Sequence, residues 1–582
     1  MANDSRPILV YDGDCTFCGV WVRYWQRRTA DRLEYVPAQR IAERVPGLSP
    51  EEFRESVGLL YPDGRRFRGA EAVFHLMHEG YEVRWPLMLC DRLPGFSHLA
   101  EAGYRVIADH RSFFYGVTRL LWGKEVEPPI SGLTRSVFLR GLAVVYFIAF
   151  ASLVPQLVGL VGEHGIVPAR EVVPTVMSIN VTDAFLRILP WAGIVLAAML
   201  FVRVVPMVAV VGLYVLYLHV SMIGQDFFTF QWDALLLETG FAAILVTPFG
   251  LVPSYARSTS RIGIWVLRLL LFRLMLESGL VKMLSGDPTW RNWTALTFHY
   301  ETQPLPTPLA WYAHHLPEGF QKFSCAMVFG AELIVPFFFL MPRKLRIIGA
   351  WITITFQILI ALTGNYTFFN VLTIVLCISL FDDQHLYGLL RRSVPPTEGP
   401  PRQWRWATLP LGTFLIVMGT LQLLAMVRVV SEPPEVFPGL ALVNRYGLFA
   451  VMTTSRHEIV IEGSEDGREW KPYEFQFKPG DVLKPLPWVA PYQPRLDWQM
   501  WFAALGPNEA SPWFTRLVER LLEGSPDVLR LFEKNPFPDT PPRLIRATVY
   551  DYHFSDRATR GSTHAIWTRT LLGGYFPAVR LR

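Results

Sequence analysis

The chain has 582 residues, of which 51% are hydrophobic and only 18% are charged. Soluble domains carry about 25% charged residues, so a chain this apolar cannot present a polar surface along its whole length, and an entirely soluble protein is excluded. Five cysteines over this length exclude a small disulfide-stapled domain. A net charge of +5 without any run of Lys and Arg gives no reason to expect nucleic acid as a partner.

Residues 1–125 have a soluble composition and predict a small α/β domain. The predicted strands are Ile8–Tyr11, Leu33–Pro37, Val57–Tyr61 and, after the turn Pro62-Asp63-Gly64, Arg65–Arg68. Predicted helices are Gly19–Thr29, Pro50–Ser56 and Ala70–Glu79. The amino terminus has neither the basic start nor the long apolar run of a signal peptide, so we expect this domain to fold where it is synthesised.

The motif Cys15-Thr16-Phe17-Cys18 follows the first predicted strand and opens the first predicted helix. A helix amino terminus stabilises a thiolate, which is the attacking species in disulfide exchange. We expect Cys15, nearer the helix start, to be the nucleophile and Cys18, one turn later, to resolve the mixed disulfide. The carboxylates of Asp12 and Asp14 should raise the thiol pKa, although either could relay a proton.

Two other interpretations of the cysteine pair remain open. The residues could be small buried side chains, or they could form half of a zinc site. Zinc needs further ligands, and His75 and His78 are the nearest candidates in the sequence. The single Cys90 is predicted to be structural.

The segment Tyr11–Cys18, the turn Asp63-Gly64, Gly69 and the stretch Tyr104–Arg111 resemble the DCC family of thioredoxin-like thiol-disulfide oxidoreductases. The resemblance covers about residues 6–118. It implies a thioredoxin-like fold and protein-disulfide reductase activity. The redox group would be the Cys15/Cys18 dithiol, with no further cofactor, and the partner would be a thiol redox protein.

Residues 135–428 predict a polytopic α-helical bundle, because apolar runs near the 20 residues that a membrane helix needs recur along them. The nine candidate spans lie near 138–158, 186–202, 204–223, 233–249, 262–282, 322–341, 346–363, 366–381 and 408–427. With the amino terminus inside, the inside loops hold Arg203, Arg257, Arg261, Arg343, Lys344, Arg346, Arg391, Arg392, Arg402 and Arg405. The outside loops and span ends hold only Arg170, Arg187, Lys282, Arg291 and Lys322. The positive-inside rule therefore predicts a cytoplasmic amino-terminal domain and, after nine spans, a carboxy-terminal domain in the periplasm or lumen.

Charged residues interrupt the predicted spans at Glu238, Arg268, Arg273, Glu277 and Glu332. A charge at mid-bilayer costs about 2.5–3.5 kcal/mol on insertion scales, so these side chains must face the bundle interior or a wet cavity. They either form ion pairs that fix helix packing or mark a substrate pathway or catalytic pocket. Asp226 and Asp233, which flank the start of the fourth span, either bind a lipid headgroup or cap a helix.

Several longer strings resemble the lipase maturation factor family over about residues 135–580. They are Gln225–Gly240, Ser285–Trp290, Tyr300–Pro306, Asn365-Tyr366, Phe368–Asn370, Val489–Pro491 and Gln493–Gln499. The resemblance implies a multi-pass membrane protein that helps lipases fold and assemble, with its carboxy-terminal domain on the lumenal side. An amino-terminal thioredoxin-like domain is absent from the animal members, so a bacterial fusion protein of the inner membrane is expected, or an endoplasmic reticulum protein if the source is eukaryotic.

A second resemblance suggests a different function. Gly279–Leu284 followed by Trp290 is similar to the lysine-bearing segment of vitamin K-dependent carboxylase, where a lysine acts as base on a reduced quinone. The alternative function is therefore a membrane enzyme that acts on a quinone or lipid through Lys282. This chain has Val281 where the carboxylase segment has a second lysine next to the first. The ordinary explanation for a lysine at the end of a span is that its side chain snorkels to the membrane surface.

Residues 430–582 predict a soluble, β-rich α+β domain. They contain a predicted hairpin of His457–Glu462 and Glu469–Phe477 and an amphipathic helix at Pro512–Leu522. The sequence here has no nucleophile–base pair, metal-ligand spacing or phosphate loop. Its aromatic residues fit either a face that binds an exported client protein or an ordinary core; they are Trp488, Tyr492, Trp498, Trp501 and Phe502. Cys325 and Cys377 are predicted near opposite membrane faces, which argues against an electron relay.

Overall fold

The structure is a computed structural model, and it describes residues 6–29, 32–45, 47–81, 83–123, 126, 132–171, 181–253, 259–391, 405–433, 437 and 439–581. The chain divides into two units. One comprises residues 1–128 with 341–346, and the other comprises residues 129–340 with 347–582.

The amino-terminal unit contains a four-stranded mixed sheet in the order β2-β1-β3-β4. Its strands are β1 (Ile8–Tyr11), β2 (Glu34–Pro37), β3 (Gly58–Leu60) and β4 (Arg66–Arg68). β1 runs parallel to β2 and antiparallel to β3, and β3 and β4 form the predicted hairpin. The neighbouring residues Leu9 and Val10 point to opposite faces and join two separate apolar clusters. Both faces of the sheet are therefore covered, as expected of an α/β unit.

The helices of this unit are α1 (Thr16–Thr29), α2 (Ile41–Arg44), α3 (Gly69–Tyr81), α4 (Trp85–Arg92), α5 (Phe96–Asp109) and α6 (Arg111–Leu121). The helix predicted at Pro50–Ser56 is a single 3₁₀ turn at Pro50–Phe53. Gly69 begins α3 with a positive φ of 58°, and a β-carbon there would lie 2.4 Å from a Glu101 carboxylate oxygen. That oxygen accepts the Ala70 N–H at 3.0 Å, so the glycine lets a carboxylate cap the helix.

The second unit begins with a bundle of helices. They are α7 (Gly132–Leu153), α8 (Leu157–Val161), α9 (Asp183–Val202), α10 (Pro206–Gly224), α11 (Gln231–Ile244), α12 (Arg261–Leu284), α13 (Pro288–Arg291), α14 (Ala295–Thr302), α15 (Pro308–His314), α16 (Glu318–Phe329), α17 (Val335–Phe338), α18 (Arg343–Thr363), α19 (Phe369–Cys377), α20 (Asp383–Leu389) and α21 (Arg405–Met426). A π-helical turn at Gly330–Ile334 joins α16 to α17.

The predicted count of nine spans is not confirmed. Six helical segments within the described residues are long and apolar enough to cross a membrane: Gly132–Leu153, Asp183–Val202, Pro206–Phe228, Glu318–Phe338, Arg343–Thr363 and Trp406–Met426. The bent pair Phe369–Leu380 and Asp383–Leu389, with an angle of 111° between its parts, makes seven if it counts as one span. Of the remaining two predicted spans, α11 has only 14 residues, and α12 carries five Arg, Glu and Lys residues along its 24 positions. The protein is a multi-pass membrane protein, with six or seven apolar spans among the described residues.

The carboxy-terminal part of this unit adds two sheets and four helices. The elements are β5 (His457–Ser464), β6 (Lys471–Pro472), β7 (Glu474–Phe475), α22 (Arg495–Ala503), α23 (Pro512–Leu522), α24 (Pro526–Leu529), β8 (Phe532–Lys534), β9 (Leu544–Phe554), α25 (Arg557–Thr563) and β10 (Trp567–Val579). The larger sheet has the order β10-β9-β5-β6 and is antiparallel, and β7 pairs with β8. The β5–β6 pair is the predicted hairpin, and α23 has the predicted bounds.

A single apolar cluster continues from the bundle into the carboxy-terminal domain. It includes Leu142 and Leu271 from the bundle and Ile459, Phe514 and Leu517 from the domain, all of them fully buried. The two parts therefore share one core rather than meeting across a solvated gap. This continuity brings residues far apart in the sequence into the sites described next.

Candidate functional site

The thiol pair of the amino-terminal unit lies at the start of α1, as predicted. Cys15 precedes the first helical residue, and the Cys18 N–H donates to the Cys15 sulfur at 3.2 Å. Both thiols are free and half-buried. The Cys15 sulfur therefore takes the position of a helix cap, where it accepts a backbone N–H of the first turn.

The environment of Cys18 differs from that of Cys15. Burial, followed by the hydrogen bond and charge interaction with Cys15, raises the pKa of the Cys18 thiol to about 12. Cys18 consequently remains a neutral thiol at physiological pH, while the Cys15 sulfur accepts the backbone hydrogen bond. The arrangement can use Cys15 as the attacking sulfur and Cys18 as the resolving thiol.

Asp12 and Asp14 are held in a small polar network next to the thiols. The Gln39 amide donates to Asp12 Oδ1 at 3.2 Å and to Asp14 Oδ2 at 3.0 Å. The guanidinium of Arg111 lies 3.7 Å from Asp12 Oδ2 and also donates to the carbonyl of Arg54 at 2.9 Å. Asp12 raises the pKa of Cys18, and Arg111 lowers it. The carboxylates are thus positioned by Gln39 and Arg111, a part of the site that sequence reasoning did not identify.

His75, considered above as a zinc ligand, stacks on the Phe67 ring with centroids 3.8 Å apart. Burial lowers its pKa. Within the part of the chain that the structure describes, no group of three or more His, Cys, Asp or Glu side chains is arranged to hold a metal ion. The environment of the cysteine pair is therefore that of a dithiol beside two carboxylates.

The second cluster lies where the bundle meets the carboxy-terminal domain, and its centre is Asp233 on α11. Arg495 from α22 donates to Asp233 Oδ1 at 2.9 Å and to Oδ2 at 3.1 Å. The Tyr217 hydroxyl donates to the same carboxylate. The Arg495 guanidinium also lies 3.4 Å from the centroid of Phe228 and donates to the Phe227 carbonyl. Asp233 is thus the partner of a fully buried arginine, rather than a cap or a headgroup ligand.

Glu238, Arg273 and Glu277 form one buried group. Arg273 donates to Glu238 at 2.9 Å and to Glu277 at 3.1 Å. The other Glu238 oxygen accepts the Tyr446 hydroxyl at 2.7 Å and the Asn444 N–H at 2.8 Å. The other Glu277 oxygen accepts the Tyr446 N–H at 2.9 Å. These bundle carboxylates therefore hold the segment that enters the carboxy-terminal domain.

Lys282 and Glu332 form a second ion pair inside the bundle. The Lys282 Nζ donates to both Glu332 oxygens, at 3.0 and 2.8 Å, and to the Ser278 carbonyl at 3.0 Å. Three donors are thereby used, and the ammonium lies 5.5 Å from the Trp290 ring centroid. Arg268, another buried charge of α12, donates to the Ser379 carbonyl at 3.0 Å. Each of these bundle charges meets a polar partner inside the protein.

The strings that resemble the lipase maturation factor family meet at the same junction. Asp287 accepts the Met452 N–H at 2.6 Å, and the Trp290 indole donates to the Phe449 carbonyl at 2.9 Å. The Asn365 amide donates to the carbonyls of Leu305 and Pro487 at 3.1 and 3.0 Å. Its oxygen accepts two backbone N–H groups, those of residues 489 and 490. These strings are therefore the contacts that join the bundle to the carboxy-terminal domain.

Arg456 fixes another of these strings. It donates to the carbonyls of Glu301 and Pro304 at 2.7 and 2.9 Å, to that of Gln303, and to the Glu458 carboxylate at 2.6 Å. The opposite oxygen of Glu458 lies 2.9 Å from Lys478 Nζ. A fully buried arginine thus donates hydrogen bonds to the backbone carbonyls at the end of α14 and just after it.

The predicted aromatic group of the carboxy-terminal domain divides into two. Trp498 and Trp501 are buried, and Trp498 contacts Trp232 with centroids 4.6 Å apart, again at the junction with the bundle. Trp488 and Phe502 are about half exposed, at 56% and 45%. The group is therefore partly core and partly surface. Cys325 and Cys377 are free and fully buried.

Sequence reasoning selected the bundle charges correctly as buried, but it missed their partners, which are Tyr217 on α10 and Asn444, Tyr446 and Arg495 in the carboxy-terminal domain. It also missed the buried group of Arg456, Glu458 and Lys478. Arg495 lies inside the quoted string Gln493–Gln499, so the signal for it was present. Its partner lies 262 residues earlier, and no periodicity connects positions so far apart.

Comparisons with known proteins agree with this division of the chain. Residues 9–117 match the family described as DCC1-like thiol-disulfide oxidoreductase. Residues 133–388 match the lipase maturation factor transmembrane domain, and residues 442–577 match the lipase maturation factor C-terminal domain. No solved structure matches the chain.

The alignments with similar curated proteins cover most of the length of those proteins. Lipase maturation factor 2 of Gallus gallus is 38% identical over 78% of this chain and 82% of its own, and that of Homo sapiens is 36% identical over 78% and 83%. Lipase maturation factor 1 of Bos taurus is 34% identical over 76% and 88%. The chain therefore belongs to the lipase maturation factor family and carries a DCC1-like thiol-disulfide oxidoreductase domain in front of the family's two domains.

Proposed function

We propose that this protein is a membrane-embedded maturation factor for exported proteins, lipases among them, and that its amino-terminal domain exchanges disulfides through Cys15 and Cys18. The observation that carries the proposal is the match to lipase maturation factors over both the bundle and the carboxy-terminal domain. The buried junction adds support, because it makes these two parts one body that can present a client-binding surface in a fixed position.

The buried ion pairs account for that fixed position. Charges removed from water contribute little net stability even when paired, but a buried charge that loses its partner costs about 3–5 kcal/mol. Asp233 and Arg495 therefore tolerate only arrangements in which α11 and α22 stay together. The same reasoning applies to Arg273, which joins two bundle carboxylates and the Asn444 carbonyl.

In the proposed redox step, the Cys15 thiolate attacks a disulfide of the substrate protein. A mixed disulfide forms, and the first substrate sulfur leaves as a thiolate that takes up a proton. The Cys18 thiol then loses its proton and attacks Cys15, which releases the second substrate sulfur and leaves a Cys15–Cys18 disulfide. Asp12 or Asp14 accepts the Cys18 proton, and a thiol redox protein returns the pair to the dithiol by the reverse exchange.

The proposed orientation places the amino-terminal domain in the cytoplasm and the carboxy-terminal domain in the periplasm or lumen. Its support is the distribution of Arg and Lys among the loops of the sequence. The membrane follows from the source of the chain, being the inner membrane in a bacterium and the endoplasmic reticulum in a eukaryote.

The alternative, a membrane enzyme that uses Lys282 as a base on a quinone or lipid, has less support. The three hydrogen bonds of the Lys282 Nζ are all made within the protein, two to the Glu332 carboxylate and one to the Ser278 carbonyl, so no donor is left for a substrate. The pairing with Glu332 favours a packing role for Lys282.

Co-expression with an exported lipase tests the maturation role. We expect the specific activity of the exported lipase to rise when the chain is present, at equal lipase amount. Two variants separate the domains: Cys15→Ser removes disulfide exchange, and Arg495→Met disturbs the junction. Lipase activity that is the same with and without the chain would refute the maturation role, and a loss confined to Cys15→Ser would show that disulfide exchange drives it.

Thiol labelling tests the orientation. In a Cys90→Ser background, an impermeant maleimide is applied to intact cells or sealed vesicles carrying Ser562→Cys on exposed helix α25. We expect the thiol introduced by Ser562→Cys to react before lysis and Cys15 to react only after it. Labelling of Cys15 before lysis would reverse the orientation and move disulfide exchange to the exported side.

A further inference from the structure

The exposed apolar side chains of the amino-terminal unit are concentrated in its last third. Among the described residues from 6 to 123, the large hydrophobic side chains that face solvent all lie between residues 85 and 120: Trp85, Met88, Leu93, Leu99, Val106, Ile107, Phe113 and Leu120. Leu99, Phe113 and Leu120 are the most exposed, at 72%, 65% and 68%. Exposed apolar groups gathered in this way mark an interaction surface.

The opposite faces of helices α5 and α6 contact the rest of the amino-terminal domain. The Tyr104 hydroxyl of α5 accepts the Val57 N–H at 2.8 Å, and the Glu101 carboxylate caps α3. Arg111 of α6 donates to backbone carbonyls of residues 54 and 55. The helices are therefore oriented by polar contacts on one face, and their outward apolar faces follow from that orientation.

The charges among these apolar residues have a positive balance. Arg84, Arg92, Arg105 and Arg119 are exposed along α4–α6, and the exposed acidic residues there are Asp91 and Asp109. The exposed surface therefore carries a net charge of 4 − 2 = +2. Apolar side chains with arginines among them are typical of helices that lie in the interface of an anionic membrane.

We propose that α4, α5 and α6 form a lipid-binding surface, defined by Trp85, Leu99, Val106, Phe113 and Leu120, that docks the amino-terminal domain onto an anionic bilayer. The apolar side chains enter the headgroup region, and the arginines contact lipid phosphates. The covalent connection favours this occupant, because only residues 122–131 separate α6 from the first apolar span. Ten residues extend at most about 35 Å, so the domain is never far from the bilayer.

Docking in this way has a consequence for the thiols, which rests on the disulfide exchange proposed above. Tyr104 within α5 and Arg111 at the start of α6 both interact electrostatically with Cys18. The helices that carry the lipid-binding surface therefore face the dithiol with their opposite sides. Docking would favour substrates whose disulfides lie close to the membrane surface over freely diffusing ones.

Spin labelling of the full chain tests the docking without reference to redox activity. Cys15, Cys18 and Cys90 are replaced by Ser, and the fully buried Cys325 and Cys377 are kept. Single nitroxides are attached through Leu99→Cys or Leu120→Cys, and through Arg66→Cys on exposed β4 as the matched control. The protein is reconstituted in nanodiscs of phosphatidylcholine with phosphatidylglycerol, and collisions with oxygen and with a water-soluble nickel complex are measured.

We expect the labels at 99 and 120 to collide several-fold more with oxygen, and several-fold less with nickel, than the label at 66. Arg105→Glu with Arg119→Glu should raise the nickel collisions at 99, and Arg66→Glu should not. Nickel collisions at 99 and 120 equal to those at 66 would overturn the proposal, because the surface would then lie in water. Exclusion of both reagents would also overturn it, because protein would then cover the surface. If the charge reversal has no effect, the preference for anionic lipid is wrong.

Discussion

The thiol centre of the amino-terminal domain and the ionic junction of the second unit differ in how far their polar groups are exposed to solvent. Cys15 and Cys18 are half-buried, and the side chains that bind the carboxylates beside them are those of Gln39 and Arg111. At the junction, Arg495 and Asp233 are fully buried. The Asp233 carboxylate accepts hydrogen bonds from both Arg495 and Tyr217. A group that reacts must be reachable by another molecule, whereas a group that holds two domains together must be inaccessible to water.

The same difference separates the sequence signals of the two regions. The thiol motif is local, with its two reactive groups three residues apart on one helix turn. The junction is distributed over strings from residue 225 to residue 499, and its contacts join residues from different strings. Substitutions should therefore affect activity in the first region and folding in the second.

The largest expected effect is the loss of disulfide exchange in Cys15→Ser. Without the attacking sulfur no mixed disulfide forms, so we expect dithiothreitol-dependent insulin reduction by the purified full chain to fall to the uncatalysed rate. Cys18→Ser should instead stall as a mixed disulfide with the substrate, visible on a non-reducing gel. Cys90→Ser is the matched control and should keep full turnover. Unchanged turnover in Cys15→Ser would contradict the assignment of the thiol centre.

The junction predicts a large loss of stability in Arg495→Met. The substitution leaves the Asp233 carboxylate buried without its cation, at a cost of about 3–5 kcal/mol. Arg516→Met is the matched control, since Arg516 forms an exposed pair with Glu171 that is worth at most about 1 kcal/mol. Thermal unfolding in detergent, followed by tryptophan fluorescence, measures both. Equal midpoints for the two variants would show that the junction does not hold the domain.

A smaller effect is expected for Lys282 and Glu332, a pair internal to the bundle. Lys282→Met alone should destabilise the protein by about 3 kcal/mol, because Glu332 is left buried and unpaired. Adding Glu332→Gln should recover part of that loss, and the double-mutant cycle measures the coupling. Lipase maturation per folded molecule should be the same in the double variant as in the parent. A complete loss of activity with normal folding would instead favour Lys282 as a catalytic base.

The effect that is smallest at neutral pH, and that grows only on acidification, is a dependence of stability on pH through His299, which lies on α14 outside the spans. Burial, with a contribution from nearby Lys282, lowers its pKa from 6.5 to about 4. Below pH 6.5 this histidine is protonated in the unfolded chain, but in the folded protein it is protonated only near pH 4. The free energy of unfolding therefore falls as the pH drops from 6.5 to 4. The loss approaches about 3 kcal/mol at pH 4.

His299→Gln provides the comparison for this prediction. Because glutamine does not titrate, the difference in unfolding midpoint between the parent and His299→Gln should change steadily between pH 6.5 and pH 4. The parent should lose more stability than the variant on acidification. Parallel pH profiles for the two proteins would mean that His299 is accessible to protons in the folded state.

Local sequence features predicted most of the secondary structure and the thiol site. The strand Ile8–Tyr11 and the helix that begins at the cysteine motif form as expected, and α23 has its predicted bounds, because alternation, capping and amphipathic spacing act over a few residues. The span count was less accurate. An apolar window does not show that α11 ends after 14 residues or that four of the five charged side chains of α12 are buried.

The sequence by itself determined that the chain is a membrane protein with a dithiol domain in front, since apolar runs and a cysteine pair at a helix start have the same meaning wherever they fold. It also determined that several charges must be buried. Only the tertiary structure decided where those charges find their partners. Coulomb attraction and hydrogen bonds depend on distance in space, and Asp233 and Arg495 become neighbours only after the bundle and the carboxy-terminal domain share one core.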